Sequence, residues 1–541
     1  MQSFDFSPLG FSRLFTEFIV SNPFFESVFP TNDTLTNFDF WLERAQNFKG
    51  REGLDEAITT TMSSVHLTEL QSRNLQLLQQ DTTLAAVTGQ QVGFLGGAIY
   101  TLLKAHSTIR IAEKFTEAGL TTVPVFWIED NDADSAEAAK TYILNSLNEP
   151  VEFACTDTFT TSIPVAERIF TADILDKLNQ LEITLPPTEF TAETMTFLRE
   201  IYKEGASWTQ AFTQLLQKFL GKYGVLFISA NVARNQGLFK KITLQELSQP
   251  TATKAAVELM SEKLTEENFH IQAVASEPNL FLHEGSERSK IKWTGSEFTA
   301  FDTPYSTDEL LKKAEDFPEL FSPNVVLRPV IQDAILPTIV YVAGPGEIAY
   351  LSELHNVYKM FKVQAPAVIP RHSATFAPPA VLRFIEKNNF DAQFFMRPWR
   401  MIEHDLVEMT ADTTGEALFT KSSLKIKDIF SAMSMYATSI DPSLGGAVGA
   451  GERQTEKVIE DLHKRIASAQ KKRHAALFEK SRETMAVLFP DGKLQERVLS
   501  PIVWSERFGI DTFSEAMRII SNENPTSHFF SPLRQEKALF L

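Results

Sequence analysis

Residues Thr88 to Gly97, TGQQVGFLGG, are the stretch on which the interpretation of the fold rests. They follow a short apolar run, Leu84 to Val87, and precede a helical pattern that begins near Ala98. Glycine loses the most backbone entropy on ordering, so four glycines here indicate a chain that turns sharply or approaches a ligand closely. Backbone N–H groups at a strand-to-helix junction also favour an anion. The alternative is a glycine-rich turn without a ligand, and the stretch contains neither G-x-x-x-x-G-K-[ST] nor G-x-G-x-x-G.

The composition is that of a folded, acidic protein. Of its 541 residues 43% are hydrophobic and 22% are charged, with a formal net charge of −18. A chain of this length is expected to form roughly two to four domains. General nucleic-acid binding needs a basic surface, so we expect no nucleic-acid partner, although a local basic pocket is compatible with this charge.

The sequence also indicates the cellular compartment of the protein. No window approaches the roughly 18 to 20 uninterrupted apolar residues of a membrane span. The N-terminal segment lacks the basic-then-apolar order of a secretory signal. The single cysteine, Cys155, excludes an intramolecular disulfide and a multi-thiolate zinc site within one chain. We expect a cytoplasmic protein without a membrane partner, and we assign no metal ligands.

Five short apolar runs predict the strands of a parallel α/β core. They are Leu84–Val87, Val123–Ile128, Val225–Ser229, Thr338–Val342 and Ala367–Ile369. The first two enclose a predicted helix at Ala98–Ala118, which implies a parallel pair with a right-handed crossover. We place this core in residues 1–378, with inserted connecting segments at about 142–194 and 268–320.

After about Pro379 the sequence changes to long helical patterns rich in Lys, Arg and Glu. We predict a helical domain over residues 379–541, with a coiled-coil arm at about 452–486. Ile459, Leu462 and Ile466 follow the alternating three- and four-residue steps of such an arm. The local excess of basic residues is also explained by a solvated helix face.

Each predicted strand ends in polar or glycine-rich chain. These ends are Thr88–Gln91, Glu129–Asp132, Ser229–Asn231, Ala343–Glu347 and Arg371–Ser373. In open parallel sheets ligands bind beyond the carboxyl ends of the strands. If all five strands share one sheet, these ends converge on one polar crevice, which is the default active-site hypothesis.

Two kinds of charged residue stand out in this crevice. The run EDNDAD, from Glu129 to Asp134, can hold Mg²⁺ beside a phosphate, bind a substrate ammonium group or supply a general base. The alternative is an acidic turn that caps the next element. Arg328 and Arg371 lie among apolar residues and proline in strand-like contexts, where a guanidinium needs a carboxylate or phosphate. Structural pairing with Asp333 or Glu347 is the alternative.

Several segments together resemble the cysteine ligases of bacillithiol biosynthesis, the BshC family. They are VTGQQVGFLGGAIYTLLKA (87–105), VPVFWIEDND (123–132), NVVLRPVIQDAILPTIVYVAGPGEIAYLSEL (324–354), VIPRHSAT (368–375) and LFPDGKLQER (488–497). The resemblance implies a Rossmann-like core with inserted connecting segments and a C-terminal coiled-coil domain used in dimerisation. It also implies the joining of cysteine, through an amide bond, to the glucosamine nitrogen of glucosaminyl-malate. Asn131 stands where the family pattern has a histidine, which leaves the acceptor in doubt.

From these patterns we assign candidate roles. Glu129, Asp130 and Asp132 are candidate catalytic residues. Candidate contacts to substrate or nucleotide are Gly89, Gln90, Gln91, Gly96, Gly97, Asn131, Arg328, Gly344, Gly346, Glu347, Arg371 and Ser373. Amide formation from a free carboxylate needs activation, most simply by ATP with Mg²⁺, although no phosphate-loop motif supports ATP. The alternatives are another ATP-dependent ligase or nucleotidyl transferase on the same scaffold, and a non-catalytic assembly protein.

Overall fold

A computed structural model describes residues 1–30, 35–133, 138–155, 163–410 and 413–533. The chain forms two compact units. One contains Met1–Leu382 together with the C-terminal stretch from Lys493, and the other is Arg383–Gly492. No helix within the described ranges is both long enough and apolar enough to cross a membrane.

The core of the first unit is a five-stranded sheet with all strands parallel. Its strands are β1 (Leu84–Gln91), β2 (Thr122–Glu129), β3 (Leu226–Ser229), β4 (Thr338–Ala343) and β5 (Ala367–Pro370). Their order across the sheet is β5-β4-β1-β2-β3. The strand order therefore reverses direction between β1 and β4. Every predicted strand is present, and the parallel α/β core is confirmed.

The first part of the stretch TGQQVGFLGG is strand, and only its last residues form the predicted sharp turn. Residues Thr88–Gln91 continue β1 and pair with Phe126–Glu129 of β2. A 3-10 turn at Phe94–Gly96 follows, and helix α1 spans Tyr100–Glu117. Gly96 and Gly97 have φ of +87° and +65°, so these two glycines supply the sharp change of direction before α1.

Helices pack around the sheet and cover its apolar faces. They are Arg13–Ile19, Pro23–Glu26, Phe38–Asn47, Leu54–Thr61, Glu69–Leu78, α1, Trp208–Leu220, Ala230–Asn235, Lys240–Ser248, Ala252–Glu266, Arg328–Ile335, α2 (Pro345–Ser352), His355–Phe361, Ile502–Phe508 and Ile510–Ser521. Because both faces are covered, the strands are near-continuous apolar runs rather than alternating ones. Arg328 begins a helix, so its predicted strand-like context is corrected.

Two inserted regions interrupt the sheet. The first, between β2 and β3, contains the hairpin Lys140–Leu144 with Pro150–Ala154 and the helices Ile174–Thr184 and Thr191–Ile201. The second, between β3 and β4, contains small antiparallel sheets and one helix. Its elements are Leu280–Glu284, Glu287–Lys290, Lys292–Trp293, Phe298–Ala300, Thr303–Tyr305, Thr307–Asp316 and Phe321–Pro323.

The C-terminal stretch from Lys493 packs with the first unit, on the other side of the predicted domain boundary at 378/379. Strand His528–Pro532 lies between Gln2–Phe4 and Ser373–Ala377 in a three-stranded sheet of the first unit. The described residues from Lys493 onward therefore belong to the first unit. We predicted them in the helical domain from their helical periodicity, because the local sequence does not show that a strand pairs with the distant N-terminal strand.

The second unit is helical. It contains Trp399–Thr410, α3 (Thr413–Ile440) and α4 (Leu444–Leu488), and the predicted arm at 452–486 lies within α4. Helices α3 and α4 pack side by side, with Phe419 stacked on His463 at 4.4 Å between ring centroids. We call α3 and α4 the helical hairpin. Leu462 and Ile466, predicted on the coiled-coil seam, remain 48% and 40% exposed.

Candidate active site

A cavity of about 620 Å³ lies at the carboxyl edge of the parallel sheet, where the strand order reverses between β1 and β4. This switch point is where open α/β sheets place their ligands. The lining residues are Gly89, Gln90, Gln91, Tyr100, Lys104, Glu129, Asp132, Gln272, Ala273, Phe281, Arg288, Pro323, Asn324, Val325, Arg328, Tyr341, Gly344, Pro345, Gly346, Glu347, Tyr350, Arg371 and Arg497.

The cavity brings together most of the candidate residues. Those in its lining are Gly89, Gln90, Gln91, Glu129, Asp132, Arg328, Gly344, Gly346, Glu347 and Arg371. Those outside the lining are Gly96, Gly97, Asp130, Asn131 and Ser373. Four of the five predicted strand ends thus contribute to one crevice, and the end of β3 contributes instead to a buried network.

Lys104 holds the polar end of β1 in place. Its ammonium group is 2% exposed and donates to the Gly89 carbonyl at 2.5 Å and to Gln90 Oε1 at 3.3 Å. It also forms an ion pair with Glu347 Oε2 at 2.5 Å. Lys104 was not among the predicted site residues. Its position in the apolar face of α1 is the feature of the sequence that could have identified it.

Glu347, the ion-pair partner of Lys104, caps the N-terminus of helix α2. Its carboxylate accepts from the Gly344 N–H and from the Tyr341 hydroxyl, both at 2.8 Å. Burial alone would raise the pKa of Glu347, but the charge and hydrogen bond of Lys104 outweigh burial and lower it. Because Glu347 occupies the N-terminus of α2, the Gly344 N–H is already satisfied.

Glu129 faces the cavity from the end of β2. Its Oε2 accepts from the Trp127 indole at 3.1 Å, and its Oε1 accepts from the Asn131 N–H at 3.3 Å. Burial raises the pKa of Glu129 to about 7, and the charge of Arg328 opposes this rise. A carboxylate with a pKa near neutrality can accept a proton from an attacking amine.

Asp132 also reaches the cavity but is already paired. Its Oδ1 accepts from Arg288 at 2.7 Å, and its Oδ2 accepts from Gln91 Nε2 at 2.6 Å. Arg288 comes from the second inserted region and stacks on Phe281, 4.2 Å from its ring centroid. Asp132 therefore joins the end of β1 to the second inserted region.

Asp130 points away from the cavity. Its carboxylate accepts from Ser229 Oγ at 2.6 Å, the Asn231 N–H at 2.8 Å and Thr209 Oγ1 at 3.1 Å. Burial raises the pKa of Asp130, and these hydrogen bonds oppose the rise. This geometry indicates that Asp130 ties β2 to the chain after β3.

Asn131 is likewise buried beside the cavity, at 2% exposure. Its Oδ1 accepts from Arg234 Nε at 3.1 Å, while its Nδ2 has no hydrogen-bond partner among the described residues. The residue thus stabilises the turn after β2 through its oxygen.

Arg328 and Arg371 enter the cavity from different elements. Arg328 donates to the Tyr350 hydroxyl at 2.6 Å and to Gln332 Oε1 at 3.3 Å. Arg371 is paired with Glu496 at 2.7 Å, and its guanidinium lies 5.4 Å from the Tyr100 ring centroid. Asp333 and Glu347 were the alternative partners predicted from the sequence. Neither of them makes these contacts with Arg328 or Arg371.

Ser373 lies behind Arg371 rather than in the cavity. Its hydroxyl donates to Glu496 Oε1 at 2.9 Å and contacts His528 Nδ1 at 2.8 Å. His528 also contacts Thr375 Oγ1 at 2.9 Å through Nε2. Ser373 therefore belongs to a buried network that supports the arginine.

Other lining residues come from segments remote in sequence. Gln272 and Ala273 are held by Glu353, whose Oε1 accepts from their N–H groups at 2.8 and 2.7 Å. Arg288 has no periodic or motif signal that separates it from surface arginines, and Arg497 is marked in the sequence only as the last residue of LFPDGKLQER (488–497). Only the tertiary structure brings these side chains to the carboxyl edge of the sheet.

The cavity lining is basic on an acidic protein. It carries the cations Lys104, Arg288, Arg328, Arg371 and Arg497 and the carboxylates Glu129, Asp132 and Glu347. Five cations against three carboxylates leave an excess of positive charge, which favours a ligand with carboxylate or phosphate groups.

Comparison with known proteins agrees with this architecture. A model described as the N-terminal Rossmann-like domain of bacillithiol biosynthesis BshC matches residues 1–372, and one described as the C-terminal coiled-coil domain matches 374–529. The chain belongs to the BshC family. In this BshC chain, Arg497 falls within the second match although the structure places it in the cavity.

Relatives of this BshC chain match over most of their length. A Chloroherpeton thalassium protein is 32% identical over 480 residues, which cover 85% of this chain and 84% of the relative. One from Chlorobaculum tepidum is 27% identical, covering 97% of each chain. One from Bacillus cytotoxicus is 27% identical, covering 84% of this chain and 86% of the relative. Each is named "Putative cysteine ligase BshC".

The described parts of this BshC chain contain one group of side chains spaced to share a metal ion. It consists of His404, Asp405 and Glu408 in the second unit, and it is largely exposed. Within the cavity, Glu129 and Asp132 are the oxygen donors at the end of β2, and Asp132 is already bound by Arg288 and Gln91.

Proposed function

We propose that this protein is a ligase that joins the carboxyl group of cysteine, through an amide bond, to the glucosamine nitrogen of glucosaminyl-malate. The observation that carries this proposal is membership of the BshC family, with the family models covering nearly the whole chain. The basic cavity at the switch point supports it, because the malyl group of the acceptor is a dicarboxylate. This reaction is the last step of bacillithiol biosynthesis.

The chemistry requires activation of the cysteine carboxyl group. A free carboxylate is a poor electrophile, and we propose ATP as the co-substrate that activates it. ATP converts the carboxylate either to an acyl phosphate, with release of ADP, or to an aminoacyl adenylate, with release of pyrophosphate. The amine then attacks the activated carbonyl carbon and forms the amide bond. Phosphate or AMP leaves, and the amine gives up a proton. Mg²⁺ would be carried by the nucleotide phosphates.

We assign the proton acceptor to Glu129. Its carboxylate is in the cavity and its pKa is about 7, so at neutral pH a large fraction is deprotonated. Asp130 is committed to hydrogen bonds with Ser229 and Asn231, and Asp132 is paired with Arg288. Those contacts favour Glu129 over the other two candidate bases.

We assign anion binding to the basic residues of the cavity lining. Arg328 and Arg371 would hold carboxylate or phosphate, since a guanidinium pairs with either in a bidentate manner. Gln90 and Gln91 would orient polar groups of the substrates from the end of β1. Gly89 is required by the packing of β1 against β2, because a Cβ at this position would come within 2.8 Å of the Trp127 carbonyl oxygen.

The test is to incubate purified protein with cysteine, glucosaminyl-malate and ATP and to detect the thiol product by its mass. Parallel reactions without ATP test the co-substrate, and glucosamine or other amines in place of glucosaminyl-malate test the acceptor. Glu129→Gln is the matched negative control, since it keeps the size of the side chain and removes the base. Absence of product in the complete reaction would refute the proposed function.

We also propose that the protein forms a homodimer through the helical hairpin and acts in the cytoplasm. Ile429, Met433, Tyr436 and Ile440 of α3 follow steps of four, three and four residues and are 53–72% exposed. An exposed apolar row with this spacing is the seam of a coiled coil that lacks its partner. The single cysteine fits a reducing compartment.

A further inference from the structure

The short segment Gln495–Arg497, which we call the C-terminal turn, is fixed to the Rossmann-like unit by buried side chains. Gln495 donates to the Phe376 carbonyl and accepts from the Phe376 N–H, both at 2.9 Å. Glu496 is fully buried and accepts from Arg371, Ser373 and the Ala374 N–H, at 2.7, 2.9 and 2.6 Å. These contacts define the backbone position of the turn.

Arg497, the last residue of this turn, behaves differently from its two neighbours. Its side chain is exposed and lines the cavity. Its backbone N–H donates to the Leu494 carbonyl at 2.9 Å, but within the described part of the chain its guanidinium group has neither a hydrogen bond nor an ion pair. A fixed backbone therefore presents an unpaired guanidinium group to the cavity.

The other basic residues of the cavity are engaged. Lys104 is paired with Glu347, Arg288 with Asp132, and Arg371 with Glu496. Arg328 donates to the neutral groups of Tyr350 and Gln332. Among the described residues, Arg328 and Arg497 are the cations of the lining that lack a carboxylate at ion-pair distance.

Two uncompensated guanidinium groups in one cavity fit a ligand with two carboxylates. A guanidinium binds a carboxylate through two parallel hydrogen bonds, which adds geometric specificity to charge. A polyphosphate is less well matched to this pair of guanidinium groups. The N–H group of Gly344 at the start of α2, a natural phosphate donor, is occupied by Glu347. The ammonium group of Lys104 is occupied as well.

We propose that Arg497 binds one carboxylate of the malyl group of the acceptor and that Arg328 binds the other. Arg497 is thereby a specificity-determining residue, which selects acceptors that carry a dicarboxylate. This inference rests on the proposed function for the identity of the acceptor. It assigns to the LFPDGKLQER segment (488–497) a role in substrate binding.

The test measures binding separately from turnover. Full-length wild type, Arg497→Gln, Arg497→Lys and Lys493→Gln are titrated with glucosaminyl-malate, malate, ATP and cysteine in a calorimeter. Lys493 is the matched control, because it is exposed in the same segment and lies outside the cavity lining. Circular dichroism spectra verify that the variants are folded.

We expect Arg497→Gln to weaken glucosaminyl-malate binding about 10- to 100-fold, as for the loss of a charge-assisted bidentate contact. Arg497→Lys is expected to recover part of that affinity, since an ammonium group keeps the charge but not the bidentate geometry. Lys493→Gln is expected to bind as wild type. ATP and cysteine affinities are expected to be the same in all four proteins.

Three results would overturn the inference. They are unchanged glucosaminyl-malate affinity in Arg497→Gln, a loss of ATP rather than acceptor affinity in that variant, and no acceptor binding by wild type. Failure of the proposed function is distinguishable. Arg497-dependent acceptor binding without thiol product would refute the ligase proposal alone, and product formation with Arg497-independent binding would refute this inference alone.

Discussion

The carboxylate of Glu129 combines burial with access to the cavity, and this sets its expected pH dependence. Burial raises its pKa to about 7, above the value of 4.5 for a free glutamate. A base acts in its deprotonated form, so kcat/KM is expected to fall as the pH drops through about 7 and to level off above it.

The titration of Glu129 can be followed without turnover through Trp127, whose indole N–H donates to Glu129 Oε2 at 3.1 Å. The indole NMR resonance of Trp127, assigned with Trp127→Phe, is expected to shift with a midpoint near pH 7. In Glu129→Gln this shift should vanish. A midpoint near pH 4.5 in wild type would contradict the role of Glu129 as a base poised for neutral pH.

Two glycines of the cavity lining are expected to respond oppositely to alanine. A Cβ on Gly89 would lie 2.8 Å from the Trp127 carbonyl oxygen, so β1 and β2 must move apart. Gly89→Ala is expected to reduce the free energy of unfolding by about 1–3 kcal/mol, as for overpacking.

Gly346 is the matched control for this substitution. A Cβ there would meet Gln272 Nε2 at 3.5 Å, an ordinary contact, within helix α2. Gly346→Ala is therefore expected to leave stability unchanged or to raise it by up to about 1 kcal/mol. Urea unfolding followed by circular dichroism measures both, and equal stability of the two variants would contradict the close packing of β1 against β2.

At the scale of secondary structure elements, the Arg371–Glu496 pair joins the end of β5 to the C-terminal turn. The two side chains are 4% and 0% exposed. If Arg371 only held a substrate anion, Arg371→Ala would abolish product formation and leave the fold intact. The structure adds a further effect, because the substitution leaves the buried Glu496 carboxylate without its counter-charge.

We expect Arg371→Ala to lose about 3–5 kcal/mol of unfolding free energy, the usual result of breaking a buried ion pair. The double variant Arg371→Met with Glu496→Gln removes both charges and is expected to recover part of this loss. Thermal unfolding of wild type, Arg371→Met, Glu496→Gln and the double variant measures the coupling energy between the two side chains. Additive losses would show that the two residues do not interact.

At the scale of the whole molecule, the proposed dimer depends on the apolar row of α3. Met433→Glu with Tyr436→Glu places two charges in that row, and we expect it to convert a dimer to a monomer in sedimentation experiments. Ser431→Glu is the control, since position 431 lies about 200° around the helix from Met433. A wild-type protein that sediments as a monomer at all concentrations would refute the proposed dimer.

Dissociation of the dimer also tests whether the helical hairpin serves assembly alone or affects the cavity as well. The cavity is lined by residues of the first unit. If the hairpin serves assembly alone, the monomeric variant is expected to keep the acceptor affinity of wild type in the same calorimetric titration. Parallel loss of acceptor binding would show that assembly affects the cavity.

The apolar runs determined the strands and the parallel core from the sequence, because apolar residues in a short run report burial of both sheet faces. The polar ends after these runs also located the crevice, since parallel strands must end at one edge. The strand ends thus predicted the positions of Glu129, Glu347 and Arg371, whereas Arg328 was singled out as a guanidinium group among apolar residues.

The tertiary structure alone decided which polar groups face the cavity and which support it. Asp130 and Asp132 are two positions apart, yet Asp130 binds Ser229 at the end of β3 and Asp132 pairs with Arg288. Arg497 reaches the cavity because strand His528–Pro532 and the C-terminal turn return to the first unit. Such pairings depend on packing between segments far apart in the chain, and local periodicity carries no information about them.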